Sequence, residues 1–213
     1  MIIEMHDKNN PANVDFETIA AHEAGHVVLA HYYGRKVYGA YLQTQPVSYC
    51  ARGERSHVRF ALTPYIQDIH LDLDKLEQHW PLAVRETLVT TCIRLAGPLA
   101  QSMYQQTPYR DMDGGQDYHD ALSDLLRLEC LRLSLPKPQS LDTSYKHKNI
   151  LDMLAEDIID LLSATLYVDY LQRVAEGLLA KQELSAHQIN GILKAMPRHQ
   201  WHSQSAFGLK SYN

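Results

Sequence analysis

The segment His22-Glu-Ala-Gly-His26 constrains this chain more than any other. Histidines four positions apart on an α-helix stack on one face, where their imidazoles can close on a single metal ion. Glu23 lies about 100° further around the axis, next to the first imidazole and off its face. From there a carboxylate can hold a metal-bound water and take its proton without ligating the metal itself. Asp15 suits an N-cap, Val14 and Ile19 stand at staple positions, and Gly34 suits a C′ residue, so the pattern predicts a helix over residues 16–33. His22 then shares a stripe with Ile19, His26, Leu29 and Tyr33, and Glu23 shares one with Phe16, Ala20, Val27 and Ala30. Both stripes are apolar. Two imidazoles and a carboxylate on buried faces cost free energy unless something binds them, and a metal is the simplest partner.

Around this helix the pattern predicts a mostly α (α+β) chain with a small antiparallel β-sheet. Residues 36–44 are rich in strand formers, and residues 57–62 alternate, with Val58, Phe60 and Leu62 on one side. Residues 45–56 read as the connection between them. Further helices are expected at 65–79, 82–106, 116–133, 145–163, 164–182 and 186–196, with Gly97-Pro98 a point of kinking in the second. Ser185-Ala-His-Gln188 is a capping box with Leu184 and Ile189 as its staple. The organisation expected is a flexible N-terminus over 1–14, one domain over 15–196 and a disordered tail over 197–213.

Composition narrows the function class. A net charge of −5 leaves no footprint for nucleic acid and no strongly basic face for a membrane surface. No apolar run approaches the ~18 residues of a membrane-spanning helix, and the N-terminus lacks a signal-peptide pattern. Cys50, Cys92 and Cys130 stand far apart with no Cys-x-x-Cys, which reads as buried thiols in a reducing compartment and points to the cytoplasm.

A catalytic zinc takes three protein ligands and leaves a position to water. Leu29 and Tyr32 stand where a metzincin would need Gly and His. His31 points around the helix and reads as a surface histidine, and Glu54 sits in a polar loop. The segment Asp113-Gly-Gly-Gln-Asp117-Tyr-His-Asp-Ala121 is better placed. On the helix predicted there, Asp117 heads the apolar stripe Ala121, Leu125 and Leu128, while His119, Asp120, Asp124 and Arg127 are expected toward solvent. The plainer role for Asp117 is a carboxylate favoured by the helix dipole at the N-terminus.

Taken together, these segments resemble the peptidase domain of the FtsH family of ATP-dependent zinc proteases. Ala20-Ala-His-Glu-Ala-Gly-His-Val-Val-Leu-Ala30 is similar to the family's zinc helix, and Leu95-Ala-Gly-Pro-Leu-Ala100 to its glycine-containing helix. Gly114-Gly-Gln-Asp117 resembles the segment supplying its aspartate ligand, and Arg173 to Ser185 its C-terminal helix pair. The likeness spans about residues 15–196. It departs at Pro98, Gln101 and Ser102, and residues 1–213 contain no Gly-x-x-x-x-Gly-Lys-Ser/Thr loop.

The resemblance implies a zincin-like helical domain binding Zn²⁺ through His22, His26 and Asp117, with Glu23 as general base. It implies an ATP-independent endopeptidase acting on peptides or unfolded protein, with a separate ATPase or a homo-oligomer as possible partners. It also implies that the substrate adds to an exposed sheet edge, for which residues 57–62 are the candidate. The alternative is a non-catalytic, zinc-containing FtsH-like module that binds or regulates a partner.

Overall fold

The motif helix, α1 (Phe16–Tyr32), is buried on every side from Glu23 to His31. It is a central strut rather than an amphipathic surface helix. In this computed structural model the residues described are 16–42, 57–61, 80–109, 115–134 and 147–199. Among them the chain is mostly helical, with a small antiparallel sheet. In chain order α1 is followed by β1 (Val37–Tyr41), β2 (His57–Phe60), α2 (Trp80–Gln105), α3 (Gly115–Ser134) and α4 (His147–Ser163). Then come α5 (Thr165–Lys181), β3 (Glu183–Ser185) and α6 (Ala186–Ile192). The helix expected at 65–79, the Asp15 cap and residues 200–213 of the tail lie outside the described residues.

Helix α1 packs chiefly on α2 and α5 and lies over the sheet. Small residues set its crossing with α2. A Cβ on Gly25 would come within 2.2 Å of the Ala96 carbonyl oxygen and 2.7 Å of the Ala100 Cβ, so the two backbones touch there. Helix α2 runs on through Pro98. The hydroxyls of its buried Thr87 and Thr91 donate to carbonyls one turn back, at 2.9 and 3.0 Å, which lets polar side chains lie inside the bundle. Gly34 ends α1 in the left-handed region at φ 74°, as a C′ glycine should.

The sheet runs in the order β2-β1-β3. β2 lies antiparallel to β1 with Ala40 opposite Val58 and Tyr41 opposite His57, and the register shifts between Val37 and Gly39. β3, which the sequence pattern did not predict, pairs with the other side of β1 through Ala40 and Leu184. Its alternation covers three residues only, buried Leu184 between exposed Glu183 and Ser185, too short to show a period. The capping box on Ser185 and Gln188 is present, and Leu184 and Ile189 are both buried.

Three expectations are corrected. His31 is buried instead of lying on the surface, because the chain after α6 folds back over it. Residues 197–199, assigned above to the tail, pack on α1: the His199 N–H donates to the Tyr32 carbonyl at 2.8 Å. Cys92 is buried as expected, but Cys130 is exposed. No helix among the described residues is long and apolar enough to cross a membrane.

Candidate metal centre

His22 and His26 project from α1 toward α2 and the start of α3. Close approach there requires Gly97, since a Cβ on that residue would stand 2.3 Å from His26 Nε2 and 2.7 Å from His22 Nε2. The glycine on α2 therefore makes the space that the imidazole tips occupy. Asp117, in the first turn of α3, reaches the same point. His22 Nε2 lies 3.1 Å from His26 Nε2 and 2.9 Å from Asp117 Oδ2, and His26 Nε2 lies 3.5 Å from that oxygen.

These three distances test whether a metal fits. A tetrahedral ion bonded at about 2.0–2.1 Å sets its ligand atoms roughly 3.3 Å apart, and the observed edges bracket that value. Protonation points the same way. His26 Nδ1 lies 2.7 Å from the Ile93 carbonyl, which can only accept, so Nδ1 carries a hydrogen. His22 Nδ1 lies 3.1 Å from Gln101 Oε1 and donates to it in the same manner. In the neutral rings both Nε2 atoms are then bare lone pairs facing a carboxylate oxygen, an arrangement that repels itself unless a cation or proton lies between. Outer partners of this kind fix ring orientation at metal-binding histidines. His22, His26 and Asp117 are the group among the described residues able to hold a metal ion.

Asp117 is half-buried, and burial alone would raise its carboxyl. Where an imidazole Nε2 carries a proton, its hydrogen bond and positive charge outweigh that and hold the carboxyl below its usual range. Glu23 behaves oppositely. It is 4% exposed, and burial raises its carboxyl to about 7, with His22 lowering it and Asp117 raising it further. Its Oε2 has no hydrogen-bond partner among the described residues. A buried carboxylate with an unpaired oxygen costs free energy, and such exceptions mark functional positions.

A cleft of about 180 Å³ opens on the cluster, lined by Glu23 and the three donors together with His57, Val58, Phe60 and Arg94. β2 is an edge strand of the described sheet, so the strand singled out from sequence runs along the mouth of the site. Val58 and Phe60 are half-buried while His57 and Arg59 are exposed, matching the alternation read from sequence.

The four residues singled out from sequence are therefore brought together, and His119 is left exposed. The expectation that Asp124 faces solvent fails, while Asp120 stays partly exposed. Asp124 is buried, and both carboxylates bond to Arg94 of α2. Sequence reasoning named Gly97 and Gln101 without giving either a part in the site, and passed over the Ile93 carbonyl. Gly97 and Gln101 stand four apart on one face of α2, a signal that acquires meaning only once that face is known to meet the histidines. No family model matches the chain, and no curated protein matches it, so the site's own residues carry the functional reading.

Proposed function

We propose that the chain is a zinc-dependent endopeptidase that hydrolyses peptide bonds in peptides or unfolded segments. One observation carries the reading. Glu23 is buried beside three clustered donors, not among them, and its Oε2 is unpartnered among the described residues. A site that holds metal only for stability is closed by a fourth protein ligand and needs no base. Two imidazoles and one carboxylate match the mixed donor set of catalytic zinc. His22 Nε2, His26 Nε2 and Asp117 Oδ2 would hold the ion, which when bound would polarise the scissile carbonyl and acidify a water.

The protein's own groups account for the rest. Glu23 accepts a proton as water attacks the carbonyl and returns it to the leaving amine. Its burial beside the donors and its unpartnered oxygen place it to take up that proton. Ile93 and Gln101 keep both imidazoles aimed inward. β2 offers backbone donors and acceptors to an extended segment, with Val58 and Phe60 beside the cleft to receive side chains. Residues 1–213 hold no ATP-binding loop, so the substrate is open already or is opened by a separate ATPase, because unfolding a domain costs about 5–15 kcal/mol.

The test is Glu23→Gln assayed on casein beside the parent chain, with metal content measured in both. The proposal expects equal metal and a fall in cleavage of at least about 10²-fold. Equal cleavage by the two proteins would exclude Glu23 as the base. Metal in both with no cleavage by either, on casein and on a peptide library, would favour the non-catalytic binding module.

A further inference from the structure

Asp117 has to meet two imidazoles on another helix, yet its own turn is poorly anchored. Gly115, Gln116 and His119 are exposed and Tyr118 is half-buried. The first fully buried residue of α3 is Ala121, and before it only the half-buried Tyr118 packs against the core. Arg94 spans that stretch. Its Nη1 donates to Asp120 Oδ2 at 2.7 Å and its Nε donates to Asp124 Oδ2 at 2.8 Å. Asp120 is three residues beyond Asp117, and Asp124 one turn further on the same face. On α2, Arg94 follows Ile93, whose carbonyl orients His26, and precedes Gly97 by three residues. It also lines the cleft. One guanidinium thus joins the part of α2 that orients a histidine to the helix that carries the third donor.

Stability alone does not account for this cluster. Asp124 is 7% exposed, and burial raises its carboxyl against the opposing pull of Arg94 and Arg127. Buried ion networks of this sort can often be exchanged for apolar residues at little or no cost, and fixing one register is their best-attested use. The rigid planar fork of arginine suits that task, because two bonds from one plane to carboxylates a turn apart resist both sliding and rotation of α3. Lysine cannot hold two acceptors in this way.

We propose that Arg94 is a positioning residue. Through Asp120 and Asp124 it locks α3 in the register at which Asp117 meets His22 and His26. The inference rests on the metal-centre reading above. Its test uses Co²⁺ as the probe, reading the dissociation constant by titration and the ligand field from the visible spectrum, alongside the melting temperature of the metal-free chain. Arg94→Met combined with Asp120→Asn and Asp124→Leu removes the network without stranding a buried charge, Arg127 being exposed. It is expected to melt close to the parent, to bind Co²⁺ about 10–100-fold more weakly, and to show an altered spectrum. Arg94→Lys should fall between the two, and Arg173→Met, which breaks the exposed Arg173–Asp169 pair on α5, should match the parent. Parent-like affinity and spectrum in the combined variant would overturn the proposal. If that variant does not fold, Arg94→Lys decides by the same criterion. Absence of Co²⁺ binding by the parent itself would instead overturn the metal centre, a result distinct from equal binding by parent and variants.

Discussion

The α1–α2 crossing and the first turn of α3 build the same site by opposite means. At the crossing, backbone meets backbone: Gly25 lies against Ala96 and Ala100, and Gly97 lies under the imidazole tips. Nothing there can move without unpacking the core. The first turn of α3 is largely exposed, and polar bonds to Arg94 and to the histidines tie it down. The difference separates two jobs. The crossing sets two donors on a buried helix, while the third stands on a largely exposed turn held by polar bonds. Damage to the backbone contact at Gly25 should therefore destroy fold and site together, whereas damage at Gly97 or in the turn should remove the site alone.

Gly25→Val should have the largest effect. Its Cβ would overlap the Ala96 carbonyl, a backbone atom that cannot swing aside, and overpacking of this kind costs about 1–3 kcal/mol or more. A thermal melt checks it, and an unchanged melting temperature would mean that the crossing is softer than described. Gly97→Ala should come next and should divide fold from site. Its Cβ would meet the ends of two side chains, and alanine favours a helix interior over glycine by about 1 kcal/mol. The metal-free chain should melt at or above the parent temperature while its zinc affinity falls more than about 10-fold. Titration with a chromogenic chelator measures the second quantity.

Asp117→Ala should also largely spare the fold. The residue is half-buried in a first turn, and a carboxylate there contributes about 0.3–1 kcal/mol through the helix dipole. Denaturant melts of the metal-free variant should stay within about 1 kcal/mol of the parent, and a larger loss would place the turn among the structural parts. The smallest effect concerns His31, far from the site. Burial, and then Arg198, lower its pKa from 6.5, with a hydrogen bond to the Leu193 backbone opposing them. The unfolded chain therefore binds the proton more readily than the folded one. Stability linked to this group is present above about pH 6.5 and is lost as pH falls through the folded value. Melts of the metal-free chain at pH 7.5 and 5 should show a loss that shrinks in His31→Gln, and an identical pH dependence in the two proteins would contradict the assignment.

The same division explains what could be read from sequence. His22, Glu23 and His26 are neighbours on one helix, so helical periodicity alone places them, and a helix lined by Ala20, Ala24, Val27 and Ala30 has to be buried. Asp117 is 95 residues from His22, and only the apolar stripe below it pointed inward. That stripe was legible because Ala121, Leu125 and Leu128 obey the same period. The burial of Asp124 and the bonds of both Asp120 and Asp124 to Arg94 were not, since their partner is an arginine on a different helix and two acidic residues beside Arg127 look like a solvated face. β3 escaped for want of length. His31 escaped because what covers it comes from Leu193 and Arg198, more than 160 positions away.

The central claim is that one ion is held by His22, His26 and Asp117 together. Elemental analysis of the purified chain after zinc loading and exhaustive dialysis tests it most directly, with circular dichroism to show that each variant remains folded. The account predicts about one zinc per parent chain, essentially none for His22→Ala, His26→Ala or Asp117→Ala, and an undiminished content for His119→Ala. Zinc retained by folded Asp117→Ala, or lost with His119→Ala, would contradict it.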